Sequence, residues 1–341
     1  VGITSYGAYL PSFIITSSEI ARAQQGIDHG RALGVGQKTV PGKDEDTATM
    51  AIMAALQAQE RLPTAISANR AGAVFVGSES HPYAVKPTGT IIHQALGLSP
   101  ACAMADLQFA CKAGTTALQA GLAYVGSGLS SYGLAVGADT AQSRPGDVLE
   151  FTAGAGAAAF FLGNKQLVAR LIATTSYVSD TPDFWRRPHQ SYPEHAGRFT
   201  GDPAYFHHVE SATQQLLKMT QTKISDYTYC IFHTPNGKFP ALAAKKLGCT
   251  AQQMRHSLIV STIGNTYAAA SLLALVNVLD HAQSGETILL TSYGSGAGAD
   301  SFAFTCTSYL PVYRRRWHNF LHDQMNRCQL VSYDTYRKNT I

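Results

Sequence analysis

Short apolar runs rich in β-branched and aromatic residues alternate along this chain with longer, alanine-rich stretches. "AGAVFVGS" (71–78), "YGLAVGAD" (132–139), "YTYCIFH" (227–233), "HSLIVST" (256–262) and "TILLTSYG" (287–294) read as strands covered on both faces. Between them, 47–60, 112–127, 208–219, 238–247 and 266–282 read as helices. In the first of these, Met50, Met53, Ala54 and Leu56 are the expected apolar positions. Alternation of this kind predicts α/β layers.

The scheme occurs twice. A helix behind Cys111 runs through a Gly turn into the strand at 132, and "TAGAGAAAFFLG" (152–163) follows. In the second half, "GNTYAAASLLALVNVLDHAQSGETILLTSYGSGAGADSFAFTC" (264–306) has the same order: polar-headed helix, Gly turn, strand, Gly-Ala-Gly loop, apolar strand. A duplicated unit with a seam near residue 165 follows, with halves 1–165 and 166–341. The basic tail 313–338 reads as a solvated surface helix and an edge strand, with a partner-binding arm as the alternative.

Composition narrows the class. The 341 residues are 45% hydrophobic and 14% charged, which suits a large globular core. A net charge of +4 is too mild for nucleic acid and compatible with an anionic small substrate. No apolar run reaches the roughly 18 residues of a membrane span, and "VGITSYGAYLPSF" shows no secretory signal. The six cysteines form no C-x-x-C and match no zinc spacing, so reduced thiols in a cytoplasmic protein are expected and no metal is.

Four polar positions stand where chemistry is possible. In "DLQFACKAGTTALQAG" (106–121), Cys111 heads a helix, where free N–H groups and the helix dipole favour a thiolate and Lys112 adds positive charge. The other reading is a small buried thiol without function. In "FHTPNGKFP" (232–240), His233 ends a buried strand, a position for acid–base work or for a bond to its own turn. Asn265 precedes a helix and is read as an N-cap or, through the repeat, as the counterpart of Cys111. Glu79 lies just past the first strand, either solvated or a general base over Cys111. The loop "TSYGSGAGAD" (291–300) lacks a dinucleotide fingerprint and better suits backbone donors to an oxyanion.

Together, "DLQFACKAGTTALQAG", "VGSESHPYAVKPT", "FHTPNGKFP", "GNTYAAASLLAL" and "SYGSGAGAD" resemble the thiolase superfamily. Within it the chain is similar to the archaeal-type 3-hydroxy-3-methylglutaryl-CoA synthases over nearly its whole length, including "VGQKTVPGKDEDTATMA", "GDVLEFTAGAGAAAF" and "GRFTGDPAYFHHV". That resemblance implies a five-layered αβαβα fold of two similar halves and an acyltransferase that condenses acetyl-CoA with acetoacetyl-CoA. Cys111 would carry the acetyl group, Glu79 would take a proton from it, and His233 and Asn265 would orient the second substrate. Backbone N–H groups at Cys111 and Ser295 would hold the oxyanion, with Gly294 and Thr152 as further substrate-contacting positions. Lys238, and behind it Lys86, Lys245 and Lys246, would meet the coenzyme A phosphates; no cofactor beyond the CoA thioesters is implied.

The resemblance also implies a homodimer and a complex with an acetoacetyl-CoA thiolase through a zinc-ribbon/OB-fold protein, while "RRRWHNFLHDQMNRC" matches no family pattern. The alternative is a ketoacyl or polyketide-type condensing enzyme built on the same Cys111, His233 and Asn265. Such an enzyme obtains its carbanion by decarboxylation, so Glu79 is the discriminating residue. A cysteine hydrolase and a silent scaffold are the remaining classes.

Overall fold

The structure, a computed structural model, describes residues 1–140 and 143–339. Its main strands are β1 (Gly2–Tyr9), β2 (Ala71–Gly77), β3 (Ala103–Leu107), β4 (Tyr132–Thr140), β5 (Ala155–Gly163), β6 (Ala169–Val178), β7 (Tyr229–Phe232), β8 (Thr287–Thr291) and β9 (Gly298–Cys306). They lie in the order β7-β8-β9-β6-β1-β5-β4-β2-β3. The junction between β1 and β6 is thin, with only Gly2↔Arg170 and Ile3↔Ala169 paired. On one side β4 runs parallel to β2 and antiparallel to β5. On the other, β8 runs parallel to β7 and antiparallel to β9. The two runs therefore share order and direction.

Helices complete five layers. The helix α1 (Thr47–Glu60) covers one outer face, α2 (Ala113–Gly126) and α4 (Ala270–Leu279) fill the middle, and α3 (Phe206–Thr220) covers the other outer face. Every residue of α4 is buried, as its all-round apolar sequence requires. Each fully buried leucine there contributes about 2 kcal/mol. Gly114 lets the middle layer close: a Cβ there would sit 2.2 Å from the Ala268 carbonyl oxygen. That approach brings the start of α2 against the segment leading into α4.

Three local expectations are corrected. Residues 256–262 form turns and a short helix, Val260–Ile263, not a strand. The segment bonds to β7 through the Ser257 hydroxyl, which donates to the Cys230 carbonyl at 2.9 Å, and forms no ladder, so a β-rich run at an edge remained unpaired. In α1 the buried face is Met50, Ala51, Ala54, Ala55 and Ala58, while Met53 and Leu56 are exposed. Alanines face β1 because the helix lies so close that a Cβ on Gly7 would meet the Ala54 oxygen at 2.3 Å.

In the tail the expected edge strand is present, Gln329–Leu330 pairing at the edge of a small three-stranded sheet, but its helices are not merely solvated. Tyr313, Leu321 and Tyr336 are buried, and the Gln324 side chain bonds the Leu10 N–H and the Ala8 carbonyl, both at 2.9 Å. No helix among the described residues is long and apolar enough to cross a membrane.

Candidate active site

Cys111 follows β3 through a short loop and immediately precedes α2. It is 6% exposed and packs with Ala153, Tyr267 and Phe184. Its thiol donates to Glu79 Oε1 at 3.7 Å, and Asn265 lines the same cavity. Burial, then the carboxylates of Glu79 and Asp139, push the thiol well above its ordinary range. The expected help from Lys112 is absent: its ammonium turns away to Asp300, 3.0 Å from each carboxylate oxygen. Burial and the neighbouring carboxyl groups thus disfavour a thiolate at Cys111.

Glu79 stands past β2 on a loop pinned from below by Asp139, which ends β4. Asp139 Oδ1 accepts from the Ser78 hydroxyl (2.6 Å), the Glu79 N–H (2.9 Å) and the Ser80 hydroxyl (2.7 Å). Its Oδ2 accepts the Ala268 N–H at 2.7 Å, tying the Glu79 loop to the segment after Asn265. Burial and the Asp139 charge raise the Glu79 carboxyl well above the usual range, and Arg186 opposes them. The Arg186 guanidinium donates to the Glu79 backbone carbonyl at 2.9 Å.

His233 lies just past β7, its N–H bonded to the Thr291 carbonyl (3.0 Å) and its carbonyl accepting the Tyr205 hydroxyl (2.7 Å). Burial holds the imidazole down to about 3, so it is neutral at working pH. Its Nδ1 is buried without a partner among the described residues. Asn265 is not a helix cap, since Thr266 and Ala269 hold the cap positions. The Asn265 Oδ1 accepts the Tyr267 N–H at 3.0 Å, a local turn, and the residue lines the same cavity as Cys111. Its backbone is fixed by N–H to the Thr152 carbonyl (2.7 Å) and by carbonyl to the Gly154 N–H (2.8 Å).

Cys111, Thr152, His233, Asn265, Tyr293 and Ser295 line one cavity of about 250 Å³. Glu79, Gln108, Trp185 and Arg186 line a neighbouring one of about 270 Å³, and Phe184 and Tyr267 form the wall between them. Gly294 stands behind the first cavity, pressed on the loop around Cys111: a Cβ there would meet the Phe109 oxygen at 2.4 Å and the Lys112 N at 3.0 Å. Gly294→Ala is therefore expected to push the Ser295 loop off the Cys111 loop and, if the two loops supply oxyanion donors as the sequence resemblance implies, to slow turnover by about 100-fold, the scale of one lost donor. Steady-state kinetics on the purified variant would check this.

Lys238 opens the helix Lys238–Leu247 and is exposed, outside the cavity lining, between the lining residues Asn236 and Phe239. Lys86 and Lys245 are exposed. Lys246, also exposed, pairs with Glu210 at 3.0 Å. Sequence reasoning missed Asp139, Tyr267, Phe184 and Arg186. For Asp139 a signal existed: a lone charge ending the apolar strand "YGLAVGAD", where α/β sheets place their sites.

Residues 217–306 match the family 3-oxoacyl-[acyl-carrier-protein (ACP)] synthase III C terminal. The chain is 50% identical to the hydroxymethylglutaryl-CoA synthase of Archaeoglobus fulgidus, covering 99% of this chain and 98% of that one. With the same enzyme of Methanocaldococcus jannaschii the identity is 49%, over 99% and 97%. Among solved structures, an HMG-CoA synthase complexed with CoA superposes with a TM-score of 0.88 at 22% identity, covering 99% of this chain and 89% of that one. With that fold shared, and with half of all residues identical to those relatives from end to end, the chain belongs to the hydroxymethylglutaryl-CoA synthase family.

Proposed function

We propose that this site condenses acetyl-CoA with acetoacetyl-CoA and water to give 3-hydroxy-3-methylglutaryl-CoA and CoA, through acetyl-S-Cys111. The observation that carries the reading is the buried contact of the Cys111 thiol with Glu79 at 3.7 Å. A decarboxylating enzyme needs no such base. In the first step Cys111 sulfur attacks the acetyl thioester, and the thiol proton ends on the departing CoA sulfur, so the exchange is proton-neutral.

Glu79 then removes a proton from the acetyl methyl. The resulting enolate attacks the C3 carbonyl of acetoacetyl-CoA, whose oxygen takes up the proton Glu79 removed and becomes the product hydroxyl, leaving Glu79 ionised again. Water finally cleaves the thioester, freeing the new carboxylate and the Cys111 thiol. A thioester α-proton is weakly acidic, and a carboxylate raised by burial is the stronger base that the step requires. Neutral His233 and the Asn265 amide orient the acetoacetyl group, and the Cys111 and Ser295 N–H groups stabilise the oxyanion. Lys238 is the candidate contact for the CoA phosphates, supported by its place between two cavity-lining residues.

The family reading extends to a cytoplasmic homodimer, to an assembly with an acetoacetyl-CoA thiolase through a zinc-ribbon/OB-fold protein, and to a boundary between halves near residue 165. Incubation with acetyl-CoA and acetoacetyl-CoA tests the reaction. Consumption of only a malonyl thioester, with carbon dioxide released, would contradict it.

A pH dependence follows from Glu79. The base must be ionised, and its pKa is raised above the ordinary 4.5. Condensation from the acetyl-enzyme should therefore fall as pH falls, with a midpoint above 4.5. His233, held down to about 3, should contribute no limb near its ordinary 6.5. Single-turnover rates across pH read both; a midpoint at or below the ordinary value would remove the raised base from the account.

A further inference from the structure

We propose that the buried Lys112–Asp300 ion pair is a positioning device: it holds the glycine loop that carries Ser295 in register with the backbone of Cys111. The inference rests on the assignment of the Cys111 and Ser295 N–H groups as oxyanion donors.

Lys112 directly follows the nucleophile and is only 4% exposed, and Asp300 is fully buried. The ammonium lies 3.0 Å from both carboxylate oxygens, 2.8 Å from Thr116 Oγ1 and 4.0 Å from the centre of the Phe109 ring. Asp300 also accepts from the Thr115 hydroxyl at 3.0 Å and the Ser176 hydroxyl at 2.7 Å. Thr115 Oγ1 in turn lies 2.6 Å from Ser292 Oγ. These bonds tie α2 to β6, to the residue after β8 and to β9, and so grip the loop 293–297 at both ends. The loop also rests on the lysine stem: a Cβ on Gly294 would strike Lys112 Cγ at 2.9 Å, and one on Gly298 would strike Cε at 3.0 Å.

Stability alone does not explain such a pair, since desolvation offsets much of its attraction and neutral replacements often fold as well. Charge-assisted bonds are directional, however, and fix a geometry that apolar packing does not.

The test is the double substitution K112M/D300N, because either single change strands one charge in the core. The asparagine keeps an acceptor for Thr115. The acetyl-enzyme is made with carbonyl-labelled acetyl-CoA and its thioester stretch read by isotope-edited infrared spectroscopy, beside kcat and KM. The expected result is a carbonyl stretch moved towards that of an unpolarised thioester. With it should come a kcat lower by about 10- to 100-fold, part of the cost of a lost donor, and a KM for acetyl-CoA within about threefold. Asp300→Glu keeps the pair but displaces it by one methylene, so the stretch should move the same way by less. A polarised carbonyl that neither variant shifts overturns the positioning role alone. An unpolarised carbonyl in the unaltered protein overturns the oxyanion assignment and this inference with it.

Discussion

Cys111→Ala is expected to lose on the order of 10⁴-fold or more of the condensation rate, because removing a covalent nucleophile abolishes the whole two-step route. The fold should survive. The sulfur lines a cavity and is 6% exposed, so its loss enlarges an existing space rather than opening a hole in packed core. The loop around it is held by bonds the thiol does not make, including the Lys112 N–H to the Phe109 carbonyl at 3.1 Å. Circular dichroism and a thermal melt would confirm an intact protein, and a peptide mass map would show no acetyl adduct at any residue.

The second large effect separates the two halves of the reaction. Glu79→Ala should still be acetylated at Cys111, while condensation falls by about 10²- to 10⁴-fold, the range of a lost general base. The change stays local because Asp139 holds the neighbouring serines and the backbone N–H of residue 79, not its carboxylate. Removing the carboxylate also removes the second-largest cause that raises the Cys111 thiol, so thiolate formation becomes easier. Acetylation without condensation is thus the signature. Full condensation activity would remove Glu79 from the mechanism, and loss of acetylation would assign it an earlier role.

The layered architecture was legible because short apolar strands alternate with alanine-rich helices, one of which, α4, is buried on every side. Cys111, His233 and Asn265 were legible for a related reason. Each lies where an element begins or ends, and the fold carries all three to one cavity. Glu79 was found the same way, although it lines the adjacent cavity and reaches Cys111 by the direct 3.7 Å contact.

What sequence could not supply was side-chain direction. Lys112 is next to the nucleophile in the chain, yet its ammonium points to a strand in the other half. Met53 and Leu56 looked like core in α1, but the close approach of β1 selects the alanines. The strand expected at 256–262 failed because an edge run needs a partner, and none of the described strands pairs with it.

The central claim is that Cys111 carries an acetyl group that Glu79 then activates. It is tested most directly by mass spectrometry of the Cys111 peptide from the unaltered protein, first after acetyl-CoA alone and then after addition of acetoacetyl-CoA. The account predicts one acetyl group on Cys111 that disappears as 3-hydroxy-3-methylglutaryl-CoA forms. A peptide that stays unmodified under acetyl-CoA while product accumulates would contradict it.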